Sequence, residues 1–187
     1  NFETKGFPSK KEEAWKYTSL KGVLKEDYSV FPKQEDALDY KDVKKFFIHD
    51  IDTYNIIFID GKYSSHLSQT THDKMDVCLM SSALNKERYK AVIDKHFNKI
   101  ATKDSLSSLN TAFSSEGAYI HIPKSKIAEK PIQIIHFSTG NESALMLQPR
   151  NLIVVEENAQ VQIIERHQSL TDNPVLTNSV TEISADK

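Results

Sequence analysis

The chain has 187 residues, of which 39% are hydrophobic and 27% are charged, an ordinary composition for a globular protein with a core. Its net charge of −2 and pI near 6.4 provide no overall field for nucleic acid or an anionic membrane, so neither is expected as a partner. No apolar run approaches the roughly 18 residues of a membrane span, and the single cysteine, Cys78, excludes an internal disulfide. These features favour a cytoplasmic location.

The first 115 residues predict a mixed helical domain that contains one hairpin. Ser9 followed by Glu12 has the spacing of a capping box, which predicts a helix that Gly22 ends. Asp60-Gly61 between two β-rich runs predicts a tight type I′ turn. The remaining predicted elements are a helix near Tyr40–Phe47, hairpin strands Tyr54–Ile59 and Lys62–Leu67, a run at Val77–Met80, a helix capped by Asn85, and a helix at Ser105–Phe113.

From Ala118 onward the pattern changes to short β-rich runs. Prolines stand at the edges of these runs, as expected because proline lacks the amide donor that a sheet needs. We therefore predict a mixed helical domain over residues 1–115 and a β domain over residues 116–187. The predicted strands are Tyr119–Ile122, Ile132–Phe137, Ala144–Leu147, Leu152–Val155, Val161–Arg166 and Val175–Ile183.

A strand and turn recur within this β domain. The run Ile132–Ile135 reappears 29 residues later as Val161–Ile164, and Asp186-Lys187 stands at the same separation from the turn at Glu157-Asn158. Self-similarity at a period of roughly 20–50 residues is typical of solenoids, and right-handed crossover is the rule for parallel strands. The repeat predicts a right-handed parallel β-helix, and a unit that stops in mid-turn indicates a truncated piece of a longer protein.

The strand histidines are the first candidates for a metal site, because stacked coils could bring them together. The 29-residue register places His136 over Glu165 rather than over another histidine, and it places Gln133 over Gln162. His121 and His167 fall at different positions in their units. This register favours surface or hydrogen-bonded core histidines over a metal site, and the six-residue gap between His66 and His72 matches no known ligand spacing.

The other candidates for chemistry are weaker. Cys78 cannot hold an iron–sulfur cluster alone, and its apolar neighbours predict a buried, inert thiol. The pairs Glu12-Glu13 and Glu156-Glu157 are read as solvated charge, and no phosphate-binding loop is present in the sequence. From the residues we predict no catalytic, cofactor-binding or metal-binding residue, and an interaction or scaffold protein rather than an enzyme.

Two long segments resemble a known family. Gly6–Leu20, reading GFPSKKEEAWKYTSL, is similar to the N-terminal segment of SufD-type iron–sulfur cluster assembly proteins. Leu109–Phe137 and Pro149–His167 resemble the entry to the β-helix that SufB-type and SufD-type proteins share. With the hairpin at Asp60-Gly61, the resemblance spans nearly the whole chain, and the Trp-Lys-Tyr-Thr motif that ends at Thr18 favours SufD over SufB.

The resemblance implies an N-terminal helical domain followed by a right-handed parallel β-helix, which the chain leaves unfinished. It also implies a non-catalytic scaffold subunit of the SUF iron–sulfur cluster assembly complex, with a SufB-type paralogue and a SufC-type ABC ATPase as partners. In that family the partner contacts and the residues that handle the cluster lie toward the C-terminal part. We therefore expect the partner contacts beyond residue 187 and no cluster bound by this piece itself.

A β-helix is also compatible with a second function. Carbohydrate-active and carbohydrate-binding proteins also use this fold, with acidic residues aligned in successive coils beside exposed aromatic residues. Here only His136 over Glu165 would stack a polar pair, and no aromatic platform accompanies it. A free-standing binding module would need a capped end, which the unfinished turn at Asp186-Lys187 does not provide.

Overall fold

The computed structural model describes residues 2–32, 38–70, 75–100, 104–114, 116–140 and 144–187. Helices occupy mainly the first two thirds of this chain. The α-helices are α1 (Phe2–Lys5), α2 (Tyr40–Val43), α3 (Met80–Leu84), α4 (Glu87–His96) and α5 (Ser105–Phe113), with 3₁₀ turns at Glu13–Trp15, Val23–Lys25 and Lys44–Phe46. No helix within these ranges combines the length and apolar character needed to cross a lipid bilayer.

Ten strands form three sheets in the described residues. One sheet has the order β2-β1-β5-β8, a second has the order β10-β7-β4-β3, and β6 pairs with β9. The strands are β1 (Tyr54–Ile59), β2 (Lys62–Tyr63), β3 (Asp76–Leu79), β4 (Ala118–Ile122), β5 (Ile132–Ser138), β6 (Leu145–Leu147), β7 (Arg150–Val155), β8 (Ile163–Ser169), β9 (Val175–Thr177) and β10 (Val180–Ala185).

Strands of successive units lie parallel and in register. Tyr119 of β4 pairs with Leu152 of β7, a separation of 33 residues, and Ile132 of β5 pairs with Ile163 of β8, a separation of 31. The β7–β10 and β6–β9 pairs have separations of 30, from Arg150 to Val180 and from Leu145 to Val175. The sequence repeat therefore does correspond to stacked strands, although its 29-residue register for β5 and β8 is wrong by two residues.

The predicted right-handed parallel β-helix is wrong for the described residues. Both four-stranded sheets are mixed, since β2 runs antiparallel to β1 and β3 runs antiparallel to β4, and the described strands form no closed solenoid. The antiparallel strands, β2 and β3, both come from the part of the chain that precedes the repeat. A two-residue turn at Asp60-Gly61 can only return its strand antiparallel, whereas the repeat reports only on the later strands.

Strands from the two sides of the predicted domain boundary near residue 115 pair with each other. β1 pairs with β5 along six residues, from Tyr54–Ile132 to Ile59–Phe137, and β3 pairs with β4. The division into residues 1–115 and 116–187 stays a prediction.

The apolar core lies in three layers around the two large sheets. Between the sheets, isoleucines of β4 and β5 pack with Phe58 of β1. On the outer face of the second sheet, α3 and α4 cover Tyr119 and Leu152, and on the outer face of the first sheet the α2 segment covers Ile57 and Ile135. Because both faces of β5 are covered, every residue of that strand is buried, including the polar residues Gln133, His136 and Ser138.

Local sequence signals account for several elements and fail for one. Asp60 and Gly61 have φ values of 47° and 78°, as the type I′ turn requires, and Asp104 caps α5 by accepting a hydrogen bond from the Ser107 N–H. The helix predicted from Ser9 to Gly22 is wrong. The Ser9 N–H does donate to Glu12 Oε1 at 2.9 Å, but only the 3₁₀ turn Glu13–Trp15 follows, because this segment buries no apolar face that would stabilise a helix.

A buried ion pair joins the helical part to the second sheet. Arg150 Nη2 donates to Glu182 Oε2 at 2.8 Å, and the two side chains are 2% and 1% exposed. Glu182 also accepts the backbone N–H groups of Asn98, Lys99 and Ile100 at 2.8–2.9 Å, so one carboxylate fixes the turn after α4. Charges this deeply buried are tolerated because both members are paired and hydrogen-bonded.

The guanidinium of Arg150 has further partners on the helices. Nη1 lies 3.3 Å from Asn110 Oδ1 and from Thr111 Oγ1 of α5, and the guanidinium stands 5.2 Å from the centre of the Phe97 ring. Asn110 in turn donates to the carbonyl oxygens of Pro149 and Asn178. The network therefore ties the turn after α4 to α5, β7 and β10 around the buried Arg150–Glu182 pair.

Gly117 lies where two backbone segments touch. A Cβ at this position would stand 1.8 Å from the carbonyl oxygen of Arg150, so the β4 entry and β7 could not keep their spacing. We expect Gly117→Ala to lower the free energy of unfolding by about 1–3 kcal/mol or more, as overpacking does. Gly22→Ala is the matched control, because nothing lies within 4 Å of a Cβ there. Equal urea midpoints for the two variants would contradict this close approach.

Removing the charge of Glu182 tests the buried network. Glu182→Gln leaves the Arg150 charge buried without its counter-ion, which costs about 3–5 kcal/mol of unfolding free energy. The control is Glu157→Gln, which breaks the exposed pair between Glu157 and Lys124 and costs about 1 kcal/mol or less. The measurement is urea unfolding followed by circular dichroism, and a loss in Glu182→Gln no larger than in the control would refute the network's role.

Candidate functional site

Three side chains that carry metal-ligand atoms meet between the two large sheets. His136 lies on β5, and Glu165 and His167 lie on the same face of β8, two residues apart. Strand register brings them together, because Phe58 of β1, His136 and His167 occupy one row across three parallel strands. Within the described ranges, these three residues form the one group of histidine, cysteine and carboxylate ligands whose donor atoms all lie within 4.8 Å.

Two histidine nitrogens converge on one carboxylate oxygen. Glu165 Oε1 lies 3.2 Å from His167 Nε2 and 3.5 Å from His136 Nε2. The imidazole rings of His136 and His167 are stacked with their centres 4.6 Å apart, and the Phe58 ring stacks on the other side of His136 at 4.8 Å. The row of parallel rings fixes the orientation of His136 without using its ring nitrogens.

The three side chains differ in access to water. The side chain of His136 is 4% exposed, whereas those of Glu165 and His167 are 24% and 37% exposed. His136 Nε2 is buried and has no hydrogen-bond partner among the described residues, and its contact with Glu165 at 3.5 Å is too long to replace one. An orphaned buried acceptor or donor of this kind is uncommon in proteins and asks for an explanation.

The pKa values of His136 and Glu165 are both lowered, for different reasons. Burial lowers the pKa of His136, which keeps its imidazole neutral near pH 7. Burial by itself would raise the pKa of Glu165, but the neighbouring imidazoles of His136 and His167 outweigh it and hold that pKa well below its usual range. At neutral pH the site therefore contains a carboxylate and a neutral buried imidazole, the forms in which both side chains bind metals.

Polar groups from the second sheet orient the carboxylate of Glu165. Asn151 Nδ2 on β7 lies 3.3 Å from Oε1, and Thr181 Oγ1 on β10 lies 3.3 Å from Oε2. Ser179 Oγ makes a longer contact of 3.4 Å with Oε1. Contacts of this kind to a ligand from neighbouring groups are a regular part of protein metal centres.

The sequence prediction of a stacked His136–Glu165 pair and a stacked Gln133–Gln162 pair is wrong. In the sheet His136 stands beside His167, Ile134 stands beside Glu165, and Gln133 stands beside Ile164. The cause is the two-residue error in the predicted register, which placed His136 and His167 two positions apart instead of side by side. A signal was present: the histidine is the fifth residue of both strands, counted from Ile132 and from Ile163.

The remaining histidines do not join this group. His121 lies between two carboxylates, with Nε2 3.0 Å from Glu156 and Nδ1 3.5 Å from Asp76. His66 contacts the Leu38 carbonyl oxygen and the Ser64 hydroxyl, and His49 is exposed. His72, whose six-residue gap from His66 matches no known ligand spacing, lies outside the described residues.

Cys78 lies on β3 and is half-buried rather than fully buried. Burial raises the pKa of its thiol, which keeps the thiol protonated at neutral pH. This protonation agrees with the prediction of an unreactive side chain.

The described residues define an α+β protein with two facing mixed sheets and a His–Glu–His group between them. The chain belongs to the SufBD family. The family model described as "SufBD protein N-terminal region" matches residues 1–134, and the model described as "SUF system FeS cluster assembly, SufBD core domain" matches residues 136–187. Together they confirm the family resemblance read from Gly6–Leu20 and Leu109–Phe137.

Individual relatives are distant and longer. The chain is 27% identical to an iron-sulfur cluster assembly SufBD family protein of Synechocystis, with 94% of this chain and 40% of the relative covered. It is 23% identical to the iron-sulfur cluster assembly protein SufD of Escherichia coli, with 89% and 37% covered. It is 28% identical to SufD of Bacillus subtilis, with 64% and 28% covered. The chain thus spans at most 40% of the length of these relatives.

The His121–Glu156 contact gives a pH-dependent prediction. The hydrogen bond from His121, and then the Lys124 N–H at 2.7 Å, lower the pKa of Glu156. Its contribution to stability is therefore complete above the unfolded pKa of about 4.3 and is lost as pH falls below it. We expect Glu156→Gln to lose less unfolding free energy than the wild type between about pH 5 and pH 3.

Urea unfolding at several pH values between these limits measures this difference. Glu13→Gln, at a side chain 91% exposed, should keep the wild-type pH dependence and serves as the control. A Glu156→Gln curve that parallels the wild-type curve would show that this contact does not couple protonation to folding.

Proposed function

We propose that this protein acts in iron–sulfur cluster assembly as a SufD-like, non-catalytic scaffold subunit of the SUF system. The observation that carries the proposal is the match of two consecutive SufBD models over residues 1–134 and 136–187. The names of the three relatives, all iron-sulfur cluster assembly proteins and two of them SufD, support the same role. Family membership favours this role over the carbohydrate-active alternative.

The proposed partners are a SufB-type paralogue and a SufC-type ABC ATPase. The chain spans 40% or less of the length of its relatives, so we propose this role for the protein as its gene encodes it. We propose that the partner contacts lie beyond residue 187. The cluster is the product of the whole complex, and the proposal assigns ATP hydrolysis to the ATPase subunit. We further propose that the protein works in the cytoplasm, where a single unpaired cysteine is the common pattern.

The fold supports a scaffold role through rigidity. Two sheets share an apolar interior, and the Arg150–Glu182 pair joins the second sheet to α5 and to the turn after α4, which together fix the positions of β8 and β10. A subunit that positions partners needs such a framework more than it needs a reactive centre.

Co-purification tests the proposed role. The protein as its gene encodes it, carrying an affinity tag, is expressed with the SufB-type and SufC-type proteins of the same genome. We expect all three to elute as one complex, with ATP hydrolysis present in the complex and absent from the tagged subunit alone. An unrelated ABC ATPase of the same genome is the control for non-specific capture. Elution of the tagged protein without either partner would refute the scaffold role.

A further inference from the structure

We propose that His136, Glu165 and His167 form a binding site for one divalent transition-metal ion of the class of Zn²⁺, Co²⁺ and Fe²⁺. The inference rests on side-chain geometry between β5 and β8 and does not depend on the role in cluster assembly. Two imidazoles and one carboxylate are a donor set that these metals bind in proteins, with further positions left for water or another ligand.

The two distances from the carboxylate oxygen of Glu165 to the histidine nitrogens fit this metal class. With metal–ligand bonds of about 2.1 Å, two donors stand about 3.4 Å apart in a tetrahedral site and about 3.0 Å apart in an octahedral one. The two distances from Glu165 Oε1, 3.2 Å to His167 Nε2 and 3.5 Å to His136 Nε2, lie close to these values. The two imidazole rings lie in nearly parallel planes with their centres 4.6 Å apart, so binding one ion requires them to tilt toward each other.

The orphaned nitrogen of His136 is the independent observation that points to a ligand. This side chain is 4% exposed, its Nε2 has no hydrogen-bond partner, and it is directed toward Glu165. A metal ion at the point where the three donors converge would satisfy that nitrogen. A polar atom that is buried without a partner destabilises the fold, and a bound metal ion removes that cost.

Access and support complete the site. His167 and the carboxylate of Glu165 are partly exposed, which gives an ion a route from solvent to the buried imidazole. Asn151 and Thr181 hold the carboxylate from the opposite sheet, and Phe58 holds the inner ring by stacking. By contrast, His121 lies between carboxylates but does not bring three donor atoms within the same radius.

Cobalt titration of the purified protein, as its gene encodes it and freed of metal by a chelator, tests the site. We expect the wild type to bind one Co²⁺ per chain with a visible absorption band, and Zn²⁺ to displace it. Glu165→Gln and His167→Gln should each weaken binding at least tenfold, since the loss of even an outer partner costs about 10–100-fold. Mg²⁺, which prefers all-oxygen sites, should not displace Co²⁺.

Matched controls separate this site from binding elsewhere. His49→Gln and Glu157→Gln remove an exposed histidine and an exposed carboxylate and should leave Co²⁺ affinity unchanged. His136→Phe preserves the stack with Phe58 while removing the inner donor, and it should also lose binding. If His136→Phe does not fold, His167→Gln decides alone, because its side chain is 37% exposed.

Two results would overturn the proposal. The first is a wild-type protein that shows no saturable binding of Co²⁺ or Zn²⁺. The second is a correctly folded His167→Gln or Glu165→Gln variant, judged by circular dichroism, that binds Co²⁺ as tightly as His49→Gln. Neither result bears on co-purification with the SUF partners, so the metal site and the scaffold role are tested separately.

Discussion

The buried pair of Arg150 and Glu182 connects parts of the chain that would otherwise be separate layers. Apolar contacts alone can slide, whereas a guanidinium and a carboxylate with several fixed hydrogen bonds allow one arrangement. Through Glu182 the turn after α4 is fixed to β10, and through Arg150 helix α5 is fixed to β7. The spacing of the second sheet, and with it the position of Asn151 and Thr181 over Glu165, follows from this network.

The space between the sheets is divided into an apolar part and a polar part. Ile132 and Ile134 of β5 belong to the apolar part, and His136, two residues further on the same face, enters the polar part beside Glu165. One face of β5 thus supplies both the isoleucines that hold the sheets together and a histidine whose buried Nε2 has no hydrogen-bond partner among the described residues. In this chain the match to the SufBD N-terminal region ends at residue 134 and the match to the SufBD core domain begins at residue 136, beside this arrangement.

Much of the fold was predictable from local signals, and the site was not. The turn at Asp60-Gly61, helix α5 and most strands followed from turn chemistry, capping and β-rich runs. The hairpin of β1 and β2 followed from its turn, but the pairing of β1 with β5 and of β3 with β4 was missed, because long-range pairing leaves no local pattern. The site was missed because the predicted pairing of β5 with β8 was shifted by two residues, with Ile132 opposite Val161 instead of Ile163. The Arg150–Glu182 pair was missed because no sequence spacing predicts such a contact.

The separation between Arg150 and Glu182 also matters while the chain is being made. Arg150 leaves the ribosome 32 residues before Glu182, which at ordinary rates of synthesis is about 2 to 6 s. Until Glu182 has been made, Arg150 has no counter-ion, and burying its guanidinium alone would be strongly unfavourable. The order of synthesis therefore requires that the burial of Arg150 wait for β10.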